Sequence, residues 1–336
     1  MTTNFAVGLH KFLVNYLPSQ KGCSPNTIGT YRYSFMFFLR FLSDVKGVKP
    51  DSVSIAELTR KNVLEFLEWL ETQRGICAST RNQRLAAIFS FCRFLLAEFP
   101  EYIVEYQGIF SIPFKRHEEP PISYLTKDGM RLLLSTVDTD DVAGERDYLI
   151  LSFFLSMGLR VSEITVMIAN DVFLGKPSKV LIHGKGSKLR YVPLAAELVP
   201  FVRGYMARRK LDRPENLANP LFINHMGTPF SRQGIDYIVR KYAEKARQID
   251  PSLMPDDLSC HKLRHSLAMS LLDDGVPLIY IRDILGHASV QTTEVYAKAS
   301  SQKKRQAIEA NASAIISEEE PAWVGNDNLL DWLRNL

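Results

Sequence analysis

The sequence predicts a mainly α-helical protein with two domains and one small antiparallel β-sheet. Along residues 1–110, apolar side chains recur with a period close to 3.6, which is typical of packed amphipathic helices. Residues 112–121 (IPFKRHEEPP) contain three prolines, which neither continue a helix nor pair in a central strand. Between residues 172 and 192 the pattern changes to two short apolar runs around a Gly-Lys-Gly turn, which predicts a β-hairpin.

Four amphipathic helices account for the first predicted domain, residues 1–111. Their predicted ranges are Asn4–Leu17, Thr27–Val45, Thr59–Gln73 and Ser79–Glu98. Basic residues on these helices, among them Arg32, Arg81 and Arg84, are candidates for phosphate contacts. A solvated, functionless charged surface explains the same residues equally well.

The second predicted domain covers residues 122–305, and the proline-rich segment before it predicts a semi-stiff linker. An apolar helix over Arg146–Met157 stops shortly before Arg160, which therefore lies at a helix junction, with Glu163 three residues later. The hairpin (VLIH, then GKGS, then LRYVPL) places Lys185 at its tip. Further helices are predicted at Leu194–Arg209 and Arg232–Arg247.

Charge is distributed unevenly along the chain of 336 residues. The net charge is +5 for residues 1–117, +4 for residues 118–305 and −5 for residues 306–336. A basic body predicts a polyanionic partner, and an acidic tail predicts a contact with protein. The tail ends in NLLDWLRNL, a short amphipathic helix that needs a docking surface on its own chain or on another subunit to be stable.

Neither a membrane span nor a secretion signal is indicated. The longest apolar runs, such as Tyr148–Met157, are too short to cross a bilayer, and no basic start precedes an apolar stretch at the N-terminus. The cysteines have no CxxC spacing and are predicted to be reduced thiols: Cys23, Cys77, Cys92 and Cys260. We therefore expect a cytoplasmic protein.

The stretch from His261 to Tyr296 places a few ionisable side chains on an apolar helical framework, which is typical of a preorganised reaction site. His261, Arg264 and His265 occupy positions i, i+3 and i+4 of a predicted helix and share one face. His287 follows a Leu-Gly corner, and Tyr296 ends a Thr-rich segment. The region is therefore the main candidate for a catalytic site.

Other interpretations of these residues are weaker. The His-x-x-x-His spacing also suits zinc, but Lys262 stands where a zinc hydrolase has glutamate. His265 alone can be a hydrogen-bonded structural histidine of the helix. The GKGS segment departs from a phosphate-binding P-loop, because Lys179 occupies a position that requires glycine. We predict no metal and no cofactor.

One chemistry uses all of the ionisable groups that the sequence singles out. Two arginines can hold a phosphodiester through their planar forks of donors, while lysine and histidine transfer protons. A tyrosine hydroxyl can attack phosphorus and form a covalent intermediate, with the arginines stabilising the phosphoryl charge in place of a metal. The six residues in this interpretation are Arg160, Lys185, His261, Arg264, His287 and Tyr296.

Five motifs in this order resemble the tyrosine recombinases of the integrase and Xer kind. They are GLRVSEI (158–164), GKGSKLRYVPL (184–194), HKLRHSLA (261–268), LGH (285–287) and TTEVY (292–296). Two N-terminal segments, SPNTIGTYRYSF and STRNQRLAAIFSFCRFL, are similar to the core-binding (SAM-like) domain of that family. The resemblance covers the chain to about residue 305 and implies a helical core-binding domain and an α+β catalytic domain.

The resemblance implies a role for each matching position. The catalytic roles are phosphate binding for Arg160, Arg264 and His287, general acid for Lys185, acid/base assistance for His261 and nucleophile for Tyr296. The supporting roles are buttressing of the site by Glu163 and support of the helix by His265. Apart from these family positions, we predict DNA contacts for five basic residues: Arg32, Arg81 and Arg84 in the first domain and Lys188 and Arg190 on the hairpin.

The resemblance also implies partners. The substrate is double-stranded DNA with inverted-repeat core sites, and the enzyme acts as a homotetramer on DNA, alone or with sibling recombinases, in the cytoplasm at the nucleoid. The C-terminal helix is expected to dock on a neighbouring protomer rather than on its own.

The long tail favours the integrase or transposase of a mobile element. Alternatives are an Xer-like dimer-resolving recombinase, a type IB topoisomerase-like enzyme, a DNA-binding protein with an inactive site and a metal hydrolase.

Overall fold

The computed structural model describes residues 3–116, 123–184, 186, 188–287, 289–299 and 333–334. The chain divides into two compact units, Met1–Pro120 and Pro121–Leu336, and each has its own hydrophobic core. The mainly α-helical fold with a small antiparallel sheet is confirmed. Within the described part of the chain, no helix combines the length and the apolar character that crossing a bilayer requires.

The N-terminal unit is a helical bundle. Its helices are α1 (Asn4–His10), which continues as a π-helical segment (Lys11–Gln20), α2 (Pro25–Lys46), α3 (Arg60–Arg74), α4 (Ala78–Glu98) and α5 (Ile103–Phe110). Aromatic rings fill the core, with Phe91 lying 5.2 Å from Phe12 and 4.9 Å from Phe35 between ring centroids. The apolar pattern predicted the first four helices but not α5, because that short helix buries only Tyr106 and Ile109.

The C-terminal unit combines helices with one sheet of order β1-β2-β3. Its elements are α6 (Lys127–Ser135), α7 (Val142–Met157), α8 (Val161–Ile164), β1 (Val172–Phe173), β2 (Lys179–His183), β3 (Leu189–Pro193), α9 (Val199–Arg208), α10 (Arg232–Ile249), α11 (Cys260–Asp273), α12 (Leu278–Leu285) and α13 (Gln291–Ala299). The helix predicted from Leu194 begins only at Val199, because Pro200 is suited to the first turn of a helix.

The predicted hairpin is confirmed. Strands β2 and β3 are antiparallel, with Val180 opposite Val192 and Ile182 opposite Arg190. The two valines and Ile182 are buried, so this face of the sheet packs on the domain core. Strands β2 and β3 are therefore part of the packed core of the C-terminal unit.

Three helices of the C-terminal unit frame the predicted site. Helix α11 packs on the largely buried helix α7 and on both α12 and α13. A separate small cluster of buried residues joins α11, α12 and α13: Ala268, Met269, Ile281, Leu285 and Tyr296. The HKLRHSLA, LGH and TTEVY motifs are thereby brought into one region.

Some sequence predictions concern residues that lie outside the described part of the chain. Lys185 at the hairpin tip and the later residues of the linker, 117–121, lie outside the described residues. The acidic tail, residues 306–336, also lies outside them except for Leu333 and Arg334, which are helical and exposed. The domain boundaries at residues 111, 121 and 305 remain predictions.

Candidate active site

Two helix ends meet at the centre of the candidate site. Helix α7 is capped by Gly158 and α12 by Gly286, with left-handed φ values of +60° and +64°. A Cβ at Gly158 would lie 2.6 Å from the Leu285 side chain, and one at Gly286 would lie 2.9 Å from Arg190 Nη1. The glycines of the GLR and LGH motifs are therefore required both by backbone conformation and by close packing.

Three arginines donate hydrogen bonds to three consecutive backbone carbonyls at the end of α12. The bonds run from Arg190 Nε to Ile284 O (3.0 Å), from Arg264 Nη2 to Leu285 O (2.6 Å) and from Arg160 Nη2 to Gly286 O (3.0 Å). The C-terminal end of a helix carries partial negative charge and unpaired carbonyls, so it attracts guanidinium groups. The LGH corner is thus the anchoring point of the site. We call Arg160, Arg190, Arg264 and Glu163 together the arginine cluster.

Arg264 is the most deeply buried member of the arginine cluster, with 1% of its surface exposed. Besides Leu285 O, it donates from Nη1 to Gly158 O at the end of α7 (2.6 Å), so it joins two helix ends. Burial, followed by the nearby charge of Arg160, lowers the pKa of Arg264 to about 10. The guanidinium consequently stays charged at neutral pH in a position where water cannot reach it.

The Glu163 carboxylate joins Arg160 to Arg190. Its Oε1 accepts from Arg160 Nη1 (3.0 Å) and Arg190 Nη1 (2.8 Å), and its Oε2 accepts from the Arg160 backbone N–H (2.8 Å) and Arg190 Nη2 (2.9 Å). Burial favours a higher pKa for Glu163, but the hydrogen bonds and charges of Arg190 and Arg160 outweigh it and keep that pKa below its ordinary value. The carboxylate is therefore ionised and both of its oxygens are fully used.

Tyr296 on α13 is buried, with 2% of its surface exposed. Its hydroxyl oxygen lies 2.9 Å from His265 Nδ1. Burial raises the pKa of Tyr296, and the positive charges of Arg264 and Arg160 offset only part of this rise. In this conformation the hydroxyl is protonated at neutral pH and is bonded to His265.

Two histidines beside Tyr296 are neutral at neutral pH. Burial lowers the pKa of His265 to about 4, with His261 and Arg264 adding to the effect, and burial also lowers the pKa of His287 to about 4. A neutral imidazole can accept the Tyr296 hydroxyl proton in a hydrogen bond at Nδ1. Sequence reasoning assigned His265 to helix support, because its direct contact with Tyr296 depends on the approach of α13 to α11.

His261 and His287 complete the group of side chains around Tyr296. The His261 ring lies 4.2 Å from the His265 ring between centroids, and partial burial lowers the pKa of His261. The His287 ring lies nearly parallel to the Tyr296 ring at 6.4 Å, and its Nδ1 is 2.9 Å from Thr293 Oγ1. Five of the six predicted catalytic residues therefore lie together, and the sixth, Lys185, lies outside the described residues.

The residues predicted to contact DNA differ in their surroundings. Arg32 and Lys188 are exposed, whereas Arg84 is partly buried and donates to Thr30 O and Ser34 Oγ. Arg81 is 5% exposed and donates to Pro113 O, and Arg190 is engaged in the arginine cluster. The expectation of direct phosphate contacts does not suit Arg81 and Arg190, because both side chains are directed into the protein. A basic residue in a sequence shows its charge but not its direction.

Metal binding receives no support from the described part of the chain. No group of three or more His, Cys, Asp or Glu side chains there has an arrangement that could hold a metal ion.

Two family profiles match the sequence. The phage integrase family matches residues 123–303, and the phage integrase N-terminal SAM-like domain matches residues 11–98. The chain is 32% identical to the integrase/recombinase y4rC of Sinorhizobium fredii, over 98% of this chain and 97% of that protein. It is 28% identical to the tyrosine recombinase XerD of Listeria monocytogenes, over 84% of this chain and 91% of that protein.

Solved structures share the fold. The XerH site-specific recombinase bound to palindromic difH substrate covers 88% of this chain at 21% identity, with 81% of that chain covered and a TM-score of 0.65. The Tn1549 transposon integrase in complex with transposon right end DNA covers 91% of this chain at 17% identity, with 99% of that chain covered and a TM-score of 0.67. With the family profile spanning more than half of its residues, this chain belongs to the phage integrase family of tyrosine recombinases, enzymes that cleave and rejoin DNA strands.

Proposed function

We propose that this protein is a site-specific DNA recombinase that works through a 3′-phosphotyrosyl intermediate and serves as the integrase or transposase of a mobile element. The observation that carries the proposal is the arginine cluster beside Tyr296. The charges of Arg264 and Arg160 offset part of the rise that burial causes in the Tyr296 pKa, and both arginines donate to backbone carbonyls at the end of α12. Fixed guanidinium groups beside a tyrosine hydroxyl are what a metal-free attack on a phosphodiester requires.

In the proposed cleavage step, the Tyr296 oxygen attacks the scissile phosphorus while the bond from phosphorus to the 5′ oxygen breaks. Arg160, whose side chain is 33% exposed, receives the phosphate, and His287 donates a further hydrogen bond. Arg264, which is 1% exposed in the described conformation, contacts the phosphate only after a movement of α13 uncovers its guanidinium. Lys185 supplies the proton that the leaving 5′ oxygen needs. The products are a 3′-phosphotyrosyl bond and a free 5′-hydroxyl, and attack by the 5′-hydroxyl of a partner strand reverses the step without a high-energy cofactor.

The phenol proton must leave Tyr296 during the attack, and a neighbouring histidine is the proposed acceptor. His261 is the predicted acid/base, and His265 already holds the hydroxyl at 2.9 Å. A phosphate bound by the arginine cluster adds negative charge, which raises the pKa of nearby histidines and favours proton acceptance. Without DNA, the low pKa of His265 opposes the transfer.

Activation of the nucleophile is proposed to require a movement of α13. Tyr296 is buried and bonded to His265 in the described conformation, so its hydroxyl must exchange this contact for the phosphate. In the sequence, only residues 300–305 separate the end of α13 from the acidic tail. Docking of the tail on a neighbouring protomer would therefore couple the position of Tyr296 to assembly of a homotetramer on DNA.

The proposed substrate is double-stranded DNA with inverted-repeat core sites, bound in the cytoplasm at the nucleoid. Residues 1–111 serve as the core-binding domain and residues 122–305 as the catalytic domain, connected by residues 112–121. The resemblance to a recombinase bound to a palindromic site supports this substrate. A tetramer shared with sibling recombinases would require matching sites, so the homotetramer is the simpler proposal.

The mobile-element role is supported by the integrase/recombinase relative, which aligns over 98% of this chain, and by the fold shared with a transposon integrase. The second candidate is an Xer-like recombinase that resolves replicon dimers, which the relatives named XerC and XerD favour. An Xer-like recombinase would act at one chromosomal site, whereas an integrase would act at the ends of its element.

The first experiment identifies the site and tests the chemistry. The Tyr296→Phe variant, which should bind DNA without cleaving it, is used to recover bound genomic fragments for sequencing. Duplexes built from the recovered site, with a nick beside each trial cleavage position, are then mixed with the wild-type protein in EDTA. A covalent protein–DNA adduct that is absent with Tyr296→Phe is expected. If no duplex yields an adduct, the proposed chemistry is wrong.

Exchange between two labelled duplexes separates recombination from topoisomerase-like relaxation, since only a recombinase joins strands of different molecules.

Deletion of residues 326–336 tests the role of the tail. The truncated protein should still bind single sites but should not pair them. Unchanged recombination by the truncated protein would contradict docking on a neighbouring protomer.

A further inference from the structure

Arg190 occupies an unexpected position for a charged residue. Along β3, Leu189 and Tyr191 are exposed, while Arg190 and Val192 lie on the opposite face of the strand. That face packs on the core, where Val192 is 2% exposed and Ile182, the cross-strand partner of Arg190, is 1% exposed. A charge on a buried sheet face is costly unless it is paired, so this arginine must have a specific partner.

The Arg190 guanidinium is almost completely used within the protein. Its Nη1 and Nη2 form a two-pronged ion pair with Glu163, and its Nε donates to Ile284 O. The side chain is only 14% exposed. A fork whose two terminal nitrogens both bind a carboxylate has little capacity left for a DNA phosphate.

Sharing of one carboxylate between two guanidinium groups has an electrostatic consequence. Glu163 contributes one negative charge to Arg160 and Arg190, so the three groups together keep one net positive charge. If Arg190 were absent, Glu163 would neutralise Arg160 alone, and its buried oxygens would lose two donors. Arg160 would then attract an incoming phosphate less strongly, and the direction of its side chain would be less well defined.

We propose that Arg190 is a positioning residue for DNA cleavage, which acts through Glu163 on Arg160 and does not contact DNA. This inference rests on the proposed function, in which Arg160 binds the scissile phosphate. It also accounts for Gly286, since a Cβ at that position would displace the Arg190 guanidinium. In this proposal, the ion pair of Arg190 with Glu163 determines how much positive charge Arg160 offers to the phosphate.

The test compares single-turnover cleavage of the nicked duplex by Arg190→Gln, Arg190→Lys, Glu163→Gln and the double variant Glu163→Gln/Arg190→Gln. Arg190→Gln should cleave ~10- to 100-fold more slowly, in the range typical of residues that orient a catalytic group. Arg190→Lys keeps the charge but not the fork, and should recover only part of the rate. The double variant should be no slower than the slower single variant, because both changes break one chain of contacts.

Arg203→Gln is the matched control. Arg203 is an exposed arginine of α9 that donates to Leu174 O and lies outside the arginine cluster, so its loss removes the same charge from the same unit. Its cleavage rate should stay within about twofold of the wild type. Multiplication of the two single effects in the double variant would overturn the proposal, as would a normal rate for Arg190→Gln.

DNA affinity separates positioning from direct contact. A residue that contacts a phosphate contributes about one unit to the slope of log affinity against log salt concentration. Arg190→Gln should keep the wild-type slope, and a slope lower by about one unit would overturn the proposal. If Arg190→Gln fails to fold, as judged by thermal unfolding, Arg190→Met, which also removes the charge, is tested by the same criteria.

A modified substrate distinguishes an effect of Arg190 that acts through Arg160 from one that acts through Lys185, which belongs to the same hairpin sequence. A duplex with sulfur in place of the 5′-bridging oxygen has a good leaving group and does not need a general acid. Arg190→Gln should remain slow on this duplex, while Lys185→Ala should recover. Recovery of Arg190→Gln would overturn the route through Arg160. Absence of any wild-type adduct would instead contradict the proposed function itself.

Discussion

The arginine cluster and Tyr296 of α13, the proposed nucleophile, are held in place by different kinds of interaction. The arginines bond to backbone carbonyls at helix ends and to the buried Glu163 carboxylate. The Tyr296 hydroxyl is bonded to a single side chain, that of His265. A carbonyl at a helix end moves only with its helix, whereas a contact between two side chains can be exchanged by a change of rotamer.

This difference indicates that the proposed phosphate-binding half of the site is preorganised, while the proposed nucleophile, Tyr296, is not. Preorganised charges cost no reorganisation at the moment of reaction. A buried, protonated phenol is a weak nucleophile, so we expect Tyr296 to react only after DNA has bound. The stability of the fold should therefore depend strongly on the arginine cluster and only weakly on the Tyr296 hydroxyl.

The largest effect on stability is expected for Arg264→Met. The change leaves Gly158 O and Leu285 O without their donor in a buried region, so the free energy of unfolding should fall by about 3 kcal/mol. Urea unfolding of the two proteins measures the difference. Arg203→Met, at an exposed position, should cost less than about 0.5 kcal/mol. Equal values for the two variants would show that the arginine cluster is not a stabilising centre.

Gly286→Ala should have the next largest effect. The alanine would have to adopt a φ of +64°, and its Cβ would lie 2.9 Å from Arg190 Nη1. We therefore expect the free energy of unfolding to fall by about 2 kcal/mol. Gly227 is the matched control, because its φ is +75° and nothing lies within 4 Å of a Cβ placed there. Gly227→Ala should therefore cost only the backbone strain, about 1 kcal/mol. Thermal unfolding of both variants checks whether contact with Arg190 adds to the strain.

Acid should weaken the fold through the histidines around Tyr296. The folded-state pKa of His265 and of His287 is about 4, below the ordinary value of 6.5, so the unfolded chain binds more protons between these pH values. The stabilising contribution is complete above pH 6.5 and is lost as pH falls towards 4. We expect about 1 kcal/mol for each histidine after allowing for its partial exposure. Urea unfolding at several pH values should show a smaller loss for His265→Gln, and an unchanged pH dependence would refute the assignment.

The smallest effect on stability is expected for Tyr296→Phe, although it should abolish the covalent adduct. The ring remains buried and only the hydrogen bond to His265 is lost, which predicts a change below about 1 kcal/mol. Differential scanning calorimetry together with the adduct assay measures both quantities on one protein. A loss as large as that of Arg264→Met would mean that the nucleophile is as firmly built into the fold as the arginine cluster.

Arg190 illustrates how far sequence reasoning reached and where it stopped. Its position in LRYVPL was correctly assigned to a strand, but its role was predicted as a DNA contact. The alternation of a strand places it on the same face as Val192, which is a signal that it is directed inwards. The partner, Glu163, is 27 residues away and could not be found from that alternation.

The sequence by itself determined most of the helices, the hairpin and the two glycine corners, and it proposed the set of reactive side chains, because periodic burial and backbone preferences are local properties. Only the tertiary structure decided which groups the charged side chains bind. Arg264 donates to Gly158 O, 106 residues away, and the Tyr296 hydroxyl meets His265, 31 residues away. A backbone carbonyl is the same chemical group in every residue, so one of them becomes an anchor for an arginine only through its place at a helix end in the folded chain.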